Sequence, residues 1–184
     1  MRGYRLLFLV ASTLALSCIE RPAQIQTRGN SVDRNALGDV LVSSMPPLSH
    51  PIGALFDHSI EVVGYNVTPE PAVQGQRATI TLFLRALDDL TDDWQIFVHV
   101  GDESKGQQRF NLDHWPAAGR YHTNAWHKGD LIRDEFSFTY PSGQTALDLW
   151  MGFYQGDDRL PLTSVGRGQT DGANRLRLGS LAAQ

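Results

Sequence analysis

Between Arg77 and Ala86 the chain alternates strictly: Ala78, Ile80, Leu82 and Leu84 fall on one side, Thr79, Thr81, Phe83 and Arg85 on the other. A period of two belongs to an extended strand with one face on a core. A helix would return its apolar stripe every three to four residues instead. The same grammar continues along the chain. Ser59 to Thr68 is rich in β-branched residues and ends at Pro69-Glu70-Pro71. The acidic run Asp88, Asp89, Asp92, Asp93 marks a turn, and Trp94 to Val100 sets Trp94, Ile96, Val98 and Val100 on one side. Asp130 to Tyr140, Ala146 to Tyr154, Arg159 to Thr163 and Asn174 to Leu178 read as further strands. No amphipathic helical pattern longer than about ten residues follows Pro51. Seven or eight short strands, separated by Gly, Pro and Asp, predict an all-β fold. The expected architecture is an antiparallel β-sandwich, immunoglobulin-like, with a disordered N-terminal tether.

The N-terminus says where such a chain works. Met1 to Arg5 is short and basic, Leu6 to Leu16 is almost wholly apolar, and Ala15-Leu16-Ser17-Cys18 resembles a lipobox. An apolar run of about eleven residues is too short to span a bilayer, which takes ~20. It fits a cleaved signal over residues 1–17, with Cys18 carrying a diacylglycerol. Cys18 is the single cysteine, so no intramolecular disulfide is available and stability must come from a packed core. Residues 18–52 hold Pro22, Pro46, Pro47 and Pro51 among polar residues and read as a flexible linker. Within it, Val32, Ala36, Leu37 and Val40 share a face and suggest a short helix. The sandwich domain is expected over 53–181.

Charge narrows the partners. The chain has 16 basic and 20 acidic residues, a net charge of −4. Cleavage after Ser17 removes Arg2 and Arg5 and no acid, leaving 14 against 20 and a charge of −6. That sign argues against nucleic acid and against a polybasic hold on lipid headgroups. Attachment to a membrane would rest on the lipid.

Residues 113–134 have the most unusual spacing. Pro116 and Gly119 make a turn-rich loop, Thr123 can pin it through its hydroxyl, and Trp126 suits a plug on an open end of the sandwich. Asp113 and Asp134 bracket the loop and can accept backbone amides that no strand pairs. Asp113, Pro116, Gly119, Thr123, Trp126, Gly129 and Asp134 together form a D-x-x-P-x-x-G-x-x-x-T-x-x-W-x-x-G-x-x-x-x-D pattern. With Ile96-Phe97-Val98-His99-Val100, Leu149 to Tyr154, Arg159-Leu160-Pro161 and the stretch from Asn174 to Leu181, it resembles a bacterial β-sandwich family over about residues 53 to 181. Such domains are appended outside the cytoplasm to multi-spanning membrane glycosyltransferases and also occur as free-standing lipoproteins. The resemblance implies a sandwich domain in the envelope. His122 stands where that family usually has Pro, and the sequence shows no membrane-spanning catalytic part, so glycosyl transfer is not expected.

Three sets of residues carry candidate chemistry. Trp115, Tyr121 and Trp126 crowd one loop, with Tyr140 and Trp150 as further aromatics. Aromatic faces beside polar groups hold sugars, and equally serve as core plugs. His114, His122 and His127, with Asp113, Asp130 and Asp134, offer metal-competent donors, but no His-x-His or His-x-x-x-His pair exists. Loop-structuring roles for Asp113, Thr123 and Asp134 are preferred to a metal. The acidic run at 88–93 lacks the glycine and terminal glutamate of an EF-hand and reads as a solvated hairpin. There is no G-x-S-x-G, H-E-x-x-H or phosphate loop. The expected role is therefore non-catalytic, with no cofactor. It is a lipid-anchored module at the outer membrane or periplasmic face, binding a glycan or an envelope protein. The alternative is a metal-dependent envelope enzyme using the 113–134 loop.

Overall fold

The computed structural model describes residues 32–184. Cys18, the signal over 1–17 and the first part of the linker lie outside the described residues. Eleven strands follow in chain order. They are β1 (His50–Phe56), β2 (Ile60–Thr68), β3 (Arg77–Ala86), β4 (Gln95–Val100), β5 (Phe110–Asn111) and β6 (Leu131–Thr139), then β7 (Ala146–Gln155), β8 (Asp158–Arg159), β9 (Leu162–Ser164), β10 (Gln169–Thr170) and β11 (Leu176–Ala182). The helices among the described residues are single 3-10 turns of three or four residues.

The strands form two antiparallel sheets. One has the order β6-β3-β2-β1-β9, the other β10-β11-β7-β4-β5 with β8 paired to β7. Alternation decides what lies between them. Ala78, Ile80, Leu82 and Leu84 of β3 are buried, as are Ile96, Val98 and Val100 of β4 and Leu147, Leu149, Met151 and Phe153 of β7. Phe56 and Phe153 meet edge to face across the core, centroids 5.1 Å apart. The all-β antiparallel sandwich expected from the alternation is the fold found.

Two boundaries differ from expectation. The linker expected to run to residue 52 is in its later part built into the domain. β1 begins at His50, and Leu37 and Val40 are buried. The Val42 amide donates to Leu131 O (2.9 Å) and the Arg133 amide to Val40 O (2.7 Å), so residues 40–42 pair with the outer edge of β6. The chain masks β1 well. Pro51 sits inside it, Gly53 has φ 70°, and the register to β2 shifts between Pro51 and Ala54. Such interruptions erase a period-two signal. The single strand expected over Arg159 to Thr163 is two. Between β8 and β9 the chain crosses sheets at buried Leu160 and at Pro161, which donates no amide.

Candidate functional site

The 113–134 loop is organised by carboxylates. Asp134, in β6, is fully buried. Its Oδ1 accepts the Ala117 amide (2.8 Å) and its Oδ2 the His114 Nε2–H (2.8 Å). Ala117 and Ala118 lie in the left-handed region, φ 52° and 54°, a conformation that costs an L-residue ~1–2 kcal/mol. The bond from Ala117 to Asp134 holds that turn together with the Gly119 amide on Trp115 O (3.2 Å) and the Arg120 amide on Ala117 O (3.1 Å). Burial lowers the His114 imidazole pKa, but the hydrogen bond and charge of Asp134 outweigh it and raise the group above its usual 6.5. Asp113 Oδ1 accepts the Val98 amide (3.0 Å). The Thr123 hydroxyl donates to Asp92 O (2.8 Å) and accepts the Trp94 amide (2.6 Å).

Two of the three aromatics expected to offer a ligand surface do not. Trp126 is 1% exposed, its indole N–H donating to Tyr121 O at 3.1 Å. Tyr121 is 0% exposed, its hydroxyl donating to Asp130 Oδ2 (2.5 Å) while Arg34 Nη1 donates to it (2.6 Å). Both rings are covered because they fill the end of the core. Trp115 alone is half-buried, against His122 at 4.5 Å between centroids. Tyr140 is buried, its hydroxyl on Leu181 O (2.8 Å). The histidines are dispersed: His122 pairs with Asp93 (2.9 Å), His127 with Asp89 (3.4 Å), His114 with Asp134. Among the described residues no three His, Cys, Asp or Glu side chains gather as metal ligands.

The surface with the chemistry of a binding site lies elsewhere, on the outer face of the second sheet. β4 presents His99 beside Trp150 of β7, its cross-strand partner. A cavity of about 170 Å³ opens there, walled by His99, Trp150, Arg109, Arg175, Asp102 and Ser104 among others. The Arg175 guanidinium lies over the Trp150 ring, 4.8 Å from its centroid, and Asp171 holds it through Nε (2.7 Å). Phe97 continues the platform, with Arg159 over its ring at 5.1 Å and Gly152 beneath it, where a Cβ would collide with the phenyl. One end is fixed by Asp148, 3% exposed, which accepts from Arg177 (2.6 Å) and Lys105 (2.5 Å). The Arg177 bond, with Lys105 adding to it, keeps Asp148 below the usual carboxylate range against the opposing effect of burial. Burial, and then the charge of Arg109, depress the His99 imidazole below 6.5. Arg175 and Arg159 add to this, and Asp113 opposes it.

Trp150 was visible in the sequence as an aromatic but not as a site. The available signal was its phase. Leu147, Leu149, Met151 and Phe153 point inward, so the intervening Trp150 and Tyr154 point out.

No family model matches the chain, and no curated protein is significantly similar to it. Solved structures do share its fold. Among them, the C-terminal domain of Wzt superposes with a TM-score of 0.52 at 12% identity, covering 75% of this chain and 82% of that one. At that identity the likeness concerns architecture alone: this chain is a β-sandwich of the same general form.

Proposed function

We propose that this chain is a non-catalytic accessory module of the bacterial envelope that binds carbohydrate on the outer face of its second sheet. It would be held to the membrane by a diacylglycerol on Cys18. The pocket beside Trp150 carries the reading. A partly exposed indole on a rigid central strand sits among Arg, His, Asp and Ser side chains able to address sugar hydroxyls. His99 and Trp150 sit on paired central strands, which gives that part of the pocket a fixed geometry. The C-terminal domain of Wzt lends the fold as support. The resemblance to domains appended to membrane glycosyltransferases lends a setting in which a glycan is at hand. The metal-enzyme alternative draws no support from the 113–134 loop, where each histidine sits with its own single aspartate.

The binding half is tested by titrating immobilised bacterial polysaccharides with the protein and with Trp150→Ala. The parent should bind a subset, and the variant should lose at least tenfold in affinity while melting normally. Equal binding by both would move the site elsewhere. The anchoring half is tested by Cys18→Ser, which should leave the membrane fraction or stay unprocessed. Unchanged processing and membrane association would refute it.

A further inference from the structure

We propose that the ligand of this face carries a carboxylate, as a uronic acid does, and that Arg109 and Arg159 receive it. The inference rests on the carbohydrate reading above and specifies its chemistry. Most arginines among the described residues are already neutralised: Arg34, Arg85, Arg120, Arg133, Arg175 and Arg177 each have a carboxylate partner. Arg77, Arg109, Arg159 and Arg167 have none among the described residues, and of these four Arg109 and Arg159 flank the His99–Phe97 stretch of β4. In a chain of net charge −4, two unneutralised guanidinium groups on one face are a local reversal of the field.

Their surroundings fix them without satisfying them. Arg109 Nε donates to Asn111 Oδ1 (3.1 Å), and Nη2 lies 3.2 Å from His99 Nδ1. Arg109 also forms the wall shared by the pocket and an adjoining open groove of about 360 Å³, lined with Glu103 and Asn111. Arg159 donates one bond, to Ala173 O (2.8 Å), and otherwise sits over the Phe97 ring. A held guanidinium loses less freedom on binding, and its planar fork matches a carboxylate. Of the acids nearby, Asp102 Oδ1 is engaged by the Ser104 amide and hydroxyl, and Asp113 Oδ1, 3.9 Å from His99 Nε2, by the Val98 amide, while exposed Glu103 lines both the pocket and the groove.

The test uses the full-length protein in detergent micelles and matched probes: tri-D-galacturonate and tri-D-mannuronate, each with its fully methyl-esterified form. Esterification removes the charge and keeps the sugar. Binding is read from the Trp150 indole N–H resonance, assigned with Trp150→Phe. The expected result is that at least one free acid binds tenfold or more tighter than its ester. Raising NaCl from 50 to 500 mM should shrink that preference. Arg109→Gln and Arg159→Gln should each lower affinity for the acid threefold to tenfold more than affinity for the ester, so that the preference for the acid shrinks in both. Equal binding of acid and ester overturns the carboxylate and leaves the carbohydrate reading standing. If no acid, no ester and no neutral polysaccharide moves the Trp150 resonance, both fall together.

Discussion

Asp134 shows how much one side chain settles. A fully buried carboxylate is tolerated only with partners, and it has two: the Ala117 amide at the apex of a left-handed turn, and His114. Asp134→Ala leaves that amide and the imidazole without their acceptor, and a charge-assisted bond of this kind contributes ~1.5–3 kcal/mol. Urea denaturation should show a loss at least that large; a change below ~0.5 kcal/mol would mean that the turn holds itself. The same pair makes stability depend on pH. The His114 pKa is raised on folding, so its contribution is fully present below the unfolded value of 6.5 and lost as pH rises through the folded value. His99 is depressed and acts in the opposite sense: its contribution is present above 6.5 and lost as pH falls through its lower folded value. The measurement is therefore a difference. Between pH 5 and 8 the parent's urea midpoint should fall relative to that of His114→Gln as pH rises. Parallel curves would contradict the linkage.

At the scale of elements, strength of alternation decided what could be read from sequence. β3 keeps strict period two, and its Ala78, Ile80, Leu82 and Leu84 are all buried. Leu82, 0% exposed and paired in register with Tyr65 and Asp134, should cost ~2–5 kcal/mol when cut to Ala. A loss under ~0.5 kcal/mol would mean an inverted register, because a one-residue slip exposes the whole face. β4, β6 and β7 were legible for the same reason. β1 was not, because Pro51 and Gly53 break its pattern and its register to β2 shifts there. Two-residue strands such as β5 and β10 are too short to carry a period at all. The loop shows the converse limit. Asp113, Thr123 and Asp134 could be singled out as polar groups in a turn-rich stretch. Trp126 could be read as a plug on the open end; burial of Tyr121 could not, since an aromatic in a loop reads alike whether it points to solvent or inward. The Trp150 face escaped because its members, Arg109, His99, Trp150 and Arg175, come from separate strands and from loops that only the sheet order brings together.

At the scale of the whole molecule, the segment before β1 closes the fold. The order β6-β3-β2-β1-β9 leaves β6 at a sheet edge, and an open edge offers unpaired amides and carbonyls to other chains. Residues 40–42 pair with that edge, Leu37 and Val40 enter the core, and Arg34 donates to both oxygens of Asp130 (2.6 and 3.1 Å). Arg34 and Tyr121, with the His127 amide, hold Asp130 below the usual carboxylate range although burial opposes them. One segment thus covers an edge, fills the core and ties off the 113–134 loop. Under the proposed anchor at Cys18, pull would reach the sandwich through this segment and so fall on β6. Cutting Leu37 to Ala should cost ~2–5 kcal/mol if this packing is native. A chain beginning at Ser43 should melt lower by more than that single change, because it loses the edge pairing as well. It should also self-associate with rising concentration in sedimentation velocity, through the bared β6. A truncated chain that stays monomeric and melts with the parent would show that the segment only rests on the sandwich, and that the domain begins where the sequence alone placed it.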